Sequence, residues 1–191
     1  MASYGLIHVY FGDGKGKTTA VLGLILRALG RGADVALIQF MKGSTYSGEI
    51  YSLSRFSSQL QHFKFGWTCP RSAMIKSGEA KCQKCGQCFQ ENRDPRYGFA
   101  KAALRKAGEL MAAGTCQVMV LDEVGNALRR GLISEAEFLD FLNSRDGNTE
   151  LILTGRTMPK KVLEQAHYVT KVAAVKHPFK DGVDSRRGIE Y

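Results

Sequence analysis

The sequence predicts an α/β fold, in which a mostly parallel sheet carries helices on both faces. Apolar segments of strand length alternate along the chain with segments whose apolar residues recur at helical spacing. A length of 191 residues and a hydrophobic composition of 44% suffice for one well-buried core but are small for two. A polar, cysteine-rich segment interrupts the alternation. We therefore expect a single domain over 1–191, with an irregular insertion at 66–94.

The first predicted strand covers 5–11, GLIHVYF, which is apolar enough to be buried. A glycine-rich loop and a helix follow, and the helix ends near Gly30 and Gly32 because glycine commonly terminates helices. Further strands are predicted at 34–40, 117–123, 149–155 and 168–177. Further helices are predicted at 95–113, 134–143 and 159–165. This alternation is typical of a parallel sheet that is buried on both faces.

The insertion at 66–94 is rich in cysteine, lysine, glycine and glutamine and contains few apolar residues. Such a composition is too polar for a hydrophobic core. We therefore expect something other than packing to order this segment.

The net charge of +9 is unevenly distributed. Residues 59–101 carry eight Lys and Arg against three Asp and Glu, and 151–191 carry eight against four, whereas 102–150 carry five against eight. Neither basic segment has interleaved aromatic residues or a recognition-helix pattern, so we expect no nucleic-acid partner. A polyphosphate ligand or an acidic partner explains the charge at least as well.

No apolar run approaches the roughly 18 residues that a membrane-spanning helix needs. The first residues, MASYGLIHVYF, lack the basic head and the long apolar stretch of a signal peptide. We therefore expect a cytoplasmic protein without a membrane partner.

The loop after the first strand, GDGKGKTT at 12–19, has the composition of a phosphate-binding loop. Its glycines let backbone N–H groups face phosphate oxygens, its second lysine reaches the phosphates, and its first threonine can bind Mg²⁺. A glycine-rich turn with incidental lysines is the alternative, but a strand before and a helix after favour nucleotide binding. Phe11 replaces the usual first glycine, so we expect an unusual nucleotide pose. The candidate nucleotide-binding residues of the loop are Gly12, Asp13, Gly14, Lys15, Gly16, Lys17, Thr18 and Thr19.

This loop makes the predicted fold P-loop NTPase-like, of the RecA-like variant. A second motif, VMVLDEV at 118–124, would deliver Asp122 and Glu123 to the carboxyl edge of the sheet, where ligands bind. With Thr18, one of these carboxylates would hold Mg²⁺ directly or through water. Two solvated acids at a strand end are the alternative, and the motif alone does not separate hydrolysis from other chemistry.

Arg156 follows the strand at 149–155, so it would lie at the same edge of the sheet as the glycine loop. There it would bind a phosphate or a carboxylate through two hydrogen bonds. A surface arginine is the alternative.

Phe65 and Trp67 flank Gly66 immediately before the cysteines. In an extended chain both side chains would point to the same side. This arrangement suits a flat ligand as well as a hydrophobic seam.

Four of the five cysteines lie within the insertion, and Cys116 stands apart as a candidate buried apolar residue. In a reducing compartment such crowding favours metal ligation over disulfides. A compact run with a remote fourth cysteine is more typical of a [4Fe–4S] cluster, whereas zinc sites commonly use two separated pairs. The candidate ligands for an iron–sulfur cluster or Zn²⁺ are Cys69, Cys82, Cys85 and Cys88.

Together these motifs resemble the ATP:corrinoid adenosyltransferases of the CobA/BtuR type. The resemblance runs from residue 5 to 191 and lies, in order, in GDGKGKTTA, QFMKG, FGW, LDE, LTGR, VKHPF, GV and the final RRGIEY. The cysteines of the insertion are not part of this resemblance.

The resemblance implies transfer of the 5′-deoxyadenosyl group of ATP to cobalt(I) of a corrinoid, with triphosphate as leaving group. It implies that Lys17, Mg²⁺ and Arg156 neutralise the departing charge. It also implies that Phe65 and Trp67 exclude the lower axial ligand of cobalt(II), which eases its reduction. An electron donor such as reduced flavodoxin or ferredoxin and a homodimer are implied as partners.

Two other functions fit parts of the sequence. A P-loop ATPase with a metal-binding regulatory insertion would use the glycine loop and the acid pair. A nucleic-acid-binding module would use the cysteine segment as a zinc finger.

Overall fold

The computed structural model describes residues 5–43, 47–56, 58–83 and 85–189, and the side chains of 179 and 180 lie outside the description. In these ranges the chain forms one six-stranded sheet in which every neighbouring pair of strands is parallel. The strand order is β3-β2-β4-β5-β1-β6. The strands are β1 (Ile7–Phe11), β2 (Val35–Phe40), β3 (Leu60–Phe65), β4 (Val118–Asp122), β5 (Glu150–Gly155) and β6 (Tyr168–Lys171).

Helices cover both faces of the sheet, as expected. The helices are α1 (Lys17–Leu29), α2 (Gly48–Leu53), α3 (Ser72–Ser77), α4 (Gln87–Glu91), α5 (Phe99–Ala112), α6 (Val124–Arg129), α7 (Glu135–Asn143) and α8 (Lys160–Gln165). On one face, α1 packs through residues such as Val21 and Ile25. On the other face, α5 to α8 pack against the sheet around Ala103, Phe138 and Met119. A hydrophobic cluster on each face of the sheet is expected, because the strands of a parallel sheet bury side chains on both faces.

Four of the five predicted strands are confirmed with ends shifted by no more than two residues, and the α/β class is confirmed. The strand predicted at 168–177 is shorter and ends at Lys171. The helix predicted at 95–113 is divided into a 3₁₀ turn, Pro95–Tyr97, and α5. Strand β3 and helices α2 and α6 were not predicted.

The insertion is less irregular than its composition suggests, because it contains α3 and α4. Ser72 and Ile75 of α3 are buried. Apolar packing therefore orders part of the segment.

All strands point the same way, so their carboxyl ends share one edge of the sheet. The glycine loop follows β1, Asp122 ends β4, and β5 lies between these two strands. This central strand between the loop strand and the acid strand is the arrangement expected of the RecA-like variant. In the described parts of the chain, no helix combines the length and apolar character required to cross a membrane.

Candidate active site

The glycine loop joins β1 to α1, and its glycines serve different structural purposes. A Cβ on Gly12 would lie 2.3 Å from the Val172 carbonyl oxygen, and one on Gly14 would lie 2.7 Å from the Ala173 carbonyl carbon. These two glycines allow the chain after β6 to pack against the loop. Gly16 has a φ of 109° and open space where a Cβ would be. The loop therefore leaves room for a ligand at its third glycine.

Three polar side chains of the loop form hydrogen bonds with backbone groups of the protein. Lys17 Nζ donates to the Gly14 carbonyl oxygen at 2.7 Å, and burial lowers the pKa of Lys17. The Asp13 carboxylate accepts from the Ala174 N–H, a bond that lowers the pKa of Asp13. Lys15 Nζ donates to the Ile189 carbonyl oxygen at 3.4 Å. Thr19 is exposed at the start of α1.

Asp122 is fully buried and receives four hydrogen bonds from side chains. Its Oδ1 accepts from Thr18 Oγ1 at 3.0 Å and from Thr154 Oγ1 at 2.8 Å. Its Oδ2 accepts from Gln39 Nε2 at 3.0 Å and from Lys42 Nζ at 2.7 Å. One carboxylate thus links the P-loop helix to the ends of β2, β4 and β5.

The positive charge of Lys42 offsets the cost of burying the Asp122 carboxylate. Burial alone would raise the pKa of Asp122, but the Lys42 ammonium and the hydrogen bonds hold it below its ordinary value. Burial alone would lower the pKa of Lys42, and the charge of Asp122 raises it instead. Both shifts describe one ion pair that is charged on both sides at neutral pH. His62 Nε2 donates to Gln39 Oε1 at 2.9 Å and so orients the Gln39 amide toward Asp122.

Glu123 has the left-handed backbone that an L residue rarely adopts, with a φ of 65°. Met41, after β2, has a φ of 54°. Strained residues of this kind cluster at functional sites. The Glu123 N–H donates to Thr154 Oγ1, and the Asn126 amide donates to the Glu123 carboxylate. Burial, followed by the charge of Asp122, raises the pKa of Glu123.

A cavity of about 550 Å³ opens beside the ends of β2 and β4. Four arginine side chains line it, and three of them are close enough to act on the fourth, Arg130. Burial lowers the pKa of Arg130, and the charges of Arg93, Arg129 and Arg156 lower it further. The cavity is lined by these four arginines and by Lys42, Glu49, Cys88, Phe89, Asn92, Glu123 and Asn126, among others. This positive surface suits an anionic ligand.

Among the predicted site residues, Glu123, Arg156 and Cys88 line this cavity. Phe65 ends β3 and packs, half-buried, against the core on the α5 face. Trp67 is also half-buried, and its backbone N–H donates to Asn92 Oδ1 at 2.7 Å.

The other three cysteines of the insertion act electrostatically on Cys88. Burial raises the pKa of the Cys88 thiol, and Cys82, Cys69 and Cys85 raise it further. Within the described residues, however, no group of three or more His, Cys, Asp or Glu side chains is arranged to hold a metal ion. Cys116 is buried as predicted, at 5% exposure, and burial raises the pKa of its thiol to about 11.

Several site residues were not predicted from the sequence. They are Gln39, Lys42, Asn92, Arg93, Asn126, Arg129 and Arg130. Lys42 carried a usable signal, because it lies two residues beyond a predicted strand and so at the carboxyl edge of a parallel sheet. The last two residues of RRGIEY, Glu190 and Tyr191, lie outside the described residues.

A glycine loop between β1 and α1, with a threonine of α1 bonded to the acid that ends β4, defines a P-loop nucleotide-binding protein. The family described as ATP:corrinoid adenosyltransferase BtuR/CobO/CobP matches residues 3–191. The chain belongs to this family.

Similar proteins that carry a name are consistent with this family membership. A corrinoid adenosyltransferase of Sinorhizobium is 33% identical, with 98% of this chain and 80% of the relative covered. The corrinoid adenosyltransferase CobA of Salmonella typhimurium is 30% identical, with 98% and 86% covered. Among solved structures, the flagellar accessory protein FlaH of Methanocaldococcus jannaschii has a TM-score of 0.53 at 15% identity, covering 90% of this chain and 72% of that protein. FlaH shares the fold alone.

Proposed function

We propose that this protein transfers the 5′-deoxyadenosyl group of ATP to the cobalt(I) of a corrinoid and releases triphosphate. The observation that carries the proposal is the family match over 3–191 in a chain whose loop and Asp122 network are complete. Cobalt(I) is itself a strong nucleophile, so the site needs no general base to activate it. The protein's task is to hold the carbon of ATP in line with cobalt and to stabilise three phosphates that leave together.

The donor set around Thr18 fits Mg²⁺, because a hydroxyl and a carboxylate are hard oxygen ligands. Thr18 would bind the ion, and Asp122, whose oxygens already accept from four side chains, would hold it through water. When bound, Mg²⁺ supplies positive charge to the leaving triphosphate. Lys17, now bonded to the Gly14 carbonyl oxygen, would turn to the phosphates and add a second charge.

Glu123 and Arg156 both line the cavity, and Glu123 directly follows Asp122 in the chain. The arginine side chains of the cavity support a corrinoid-binding role for it, since they can donate to the carboxylate or amide groups around a corrinoid ring. Arg156 would neutralise either the leaving group or a corrinoid substituent.

The product separates this function from its alternatives. Purified protein with ATP, Mg²⁺ and chemically reduced corrinoid should yield inorganic triphosphate and a cobalt–carbon bond in equal amounts. Release of orthophosphate without an organometallic product would support the ATPase alternative and contradict the proposal. A nucleic-acid-binding module would bind DNA or RNA with steep salt dependence and form neither product.

We further propose that Phe65 and Trp67 exclude the lower axial ligand of cobalt(II). Trp67→Ala should slow turnover that starts from cobalt(II) far more than turnover that starts from prepared cobalt(I). Equal losses in the two assays would contradict this role. Phe65→Ala is the weaker test, because Phe65 also packs against the core.

Other parts of the proposal concern partners. An electron donor such as reduced flavodoxin or ferredoxin would supply the electron for cobalt(II). The four cysteines would hold a [4Fe–4S] cluster or Zn²⁺, as their spacing supports. A homodimer is supported by the exposed apolar side chains of the edge strand β6, Tyr168 and Val169. A reaction that needs cobalt(I) fits the reducing cytoplasm.

A further inference from the structure

Asn92 joins the part of the insertion that holds the four cysteines, residues 69–88 (the four-cysteine segment), to Trp67. Its Oδ1 accepts from the Trp67 backbone N–H at 2.7 Å. Its Nδ2 donates to the Cys88 carbonyl oxygen, also at 2.7 Å. Asn92 is half-buried and lines the arginine-rich cavity together with Cys88. One side chain therefore bridges two segments that are 25 residues apart in the chain.

The packing around this bridge is tight. A Cβ on Gly66 would lie 2.6 Å from Asn92 Oδ1 and 2.6 Å from the Lys42 backbone nitrogen. A Cβ on Gly43 would lie 2.5 Å from the Trp67 carbonyl carbon. The backbone before Trp67 is thus held between Asn92 on one side and the chain that carries Lys42 on the other.

The four-cysteine segment meets Trp67 at both of its ends. Cys69 follows Trp67 by two residues. The Cys88 carbonyl oxygen accepts from Asn92, which in turn accepts from the Trp67 backbone N–H. Cys82 and Cys85 lie between Cys69 and Cys88 in the chain and are exposed. If the cysteine side chains became more or less ordered, the structural change would therefore be transmitted to Trp67 along the chain and across the Asn92 bridge.

We propose that Asn92 is a positioning residue for Trp67, and that through it the order of the four-cysteine segment sets the position of this aromatic side chain. The proposal rests on the proposed role of Trp67 in adenosyl transfer. It adds a residue outside the nucleotide loop and a structural link between the insertion and the corrinoid side of the site.

Fluorescence tests the first part directly, because Trp67 is the single tryptophan of the chain. Asn92→Ala should shift the emission of Trp67 and increase its quenching by acrylamide. Asn92→Asp keeps an acceptor for the Trp67 N–H and should retain most of the wild-type signal. Gln90→Ala, an exposed position of the same short helix, is the matched control and should change nothing. Unchanged emission in Asn92→Ala would overturn the proposal.

The second part is tested by combining variants. Cys82→Ser with Cys85→Ser should shift the Trp67 emission in the wild-type background. The same pair should have a much smaller effect in the Asn92→Ala background, because coupled residues give non-additive changes. Equal shifts in both backgrounds, or none in the first, would refute the link to the cysteine segment.

Activity supplies the last readout. Asn92→Ala should reduce turnover from cobalt(II) by about tenfold or more, with a smaller loss from prepared cobalt(I), because displacement of a positioning group impairs one step selectively. Equal losses in both assays would overturn the positioning role. If wild-type protein formed no cobalt–carbon bond, the proposed function would fail, whereas the fluorescence results would still decide whether Asn92 holds Trp67.

Discussion

Asp122 illustrates at the scale of one residue how a buried charge organises a site. Its carboxylate is fully buried, and its four partners come from α1, the end of β2, the loop beyond it and β5. Three of those partners are neutral, so Lys42 alone balances the charge among them. A buried carboxylate that loses its cation keeps its desolvation cost without the compensating attraction.

Lys42→Met should therefore lower the free energy of unfolding by roughly 2–3 kcal/mol, measured by urea denaturation without nucleotide. Lys42→Arg keeps a cation near Asp122 and should lose less. Lys161→Met, at an exposed position of α8, is the matched control and should change stability by less than about 0.5 kcal/mol. Equal stability of Lys42→Met and the control would show that the neutral donors suffice for Asp122.

The sequence predicted the residues whose chemistry follows from a fixed spacing. Lys17, Thr18 and Asp122 stand in motifs, and Thr18 Oγ1 donates directly to Asp122. Asn92 and Arg130 have no such spacing, because they reach the site only through the packing of the insertion and of α6. Their positions depend on contacts between distant segments, which periodicity and composition do not encode.

At the scale of elements, Glu150 fixes the start of the sheet. Its Oε2 accepts from the backbone N–H groups of Gly5 and Leu6, and its Oε1 contacts His8 Nε2 at 2.5 Å. Burial would raise the pKa of Glu150, but the His8 bond and the two backbone bonds bring it below its ordinary value. A lowered pKa means that ionised Glu150 stabilises the folded state.

Glu150→Gln should lower the free energy of unfolding at pH 7 by about 1 kcal/mol. The carboxylate contributes above its unfolded pKa, about 4.5, and the contribution disappears as pH falls through the lower folded value. The difference between variant and wild type should therefore shrink below about pH 4.5. Urea denaturation over a pH series measures it, with exposed Glu164→Gln as control. A difference independent of pH would indicate a steric cause.

Strand prediction succeeded where burial on both faces leaves a continuous apolar run. β2 and β4 are buried at every position and were found. β3, LQHFKF, is an edge strand whose residues after Leu60 are half-buried, so His62 and Lys64 obscure its apolar pattern. β6 is exposed along its whole length and ends where the chain turns to cover the glycine loop. Edge strands are therefore the elements whose ends the sequence predicts least well.

At the scale of the whole molecule, the chain combines a tightly packed sheet with an insertion that packs through few apolar side chains. The core strands are fully buried, whereas Cys82, Cys85 and Phe89 of the insertion are exposed. Its hydrogen bonds to the rest of the chain include Thr68 Oγ1, which donates to the Gly43 carbonyl oxygen at 3.1 Å, and the Arg187 guanidinium, which donates to the Lys76 carbonyl oxygen at 3.2 Å. Segments with so few buried contacts open more readily than the core.

A metal on the four thiols would add to the order of the insertion, since metal binding to cysteines contributes directly to folding. Anaerobically purified protein should then contain iron and sulfide with visible absorbance, or zinc without colour. Cys82→Ser with Cys85→Ser should lose the metal and the hydrogen-exchange protection of 66–94, while protection of β2 and β4 stays unchanged. A zinc protein would give the segment a structural role, because zinc has no redox chemistry. Protein without metal, and with equal protection in the variant, would show that the short helices and the Asn92 bridge order the insertion by themselves.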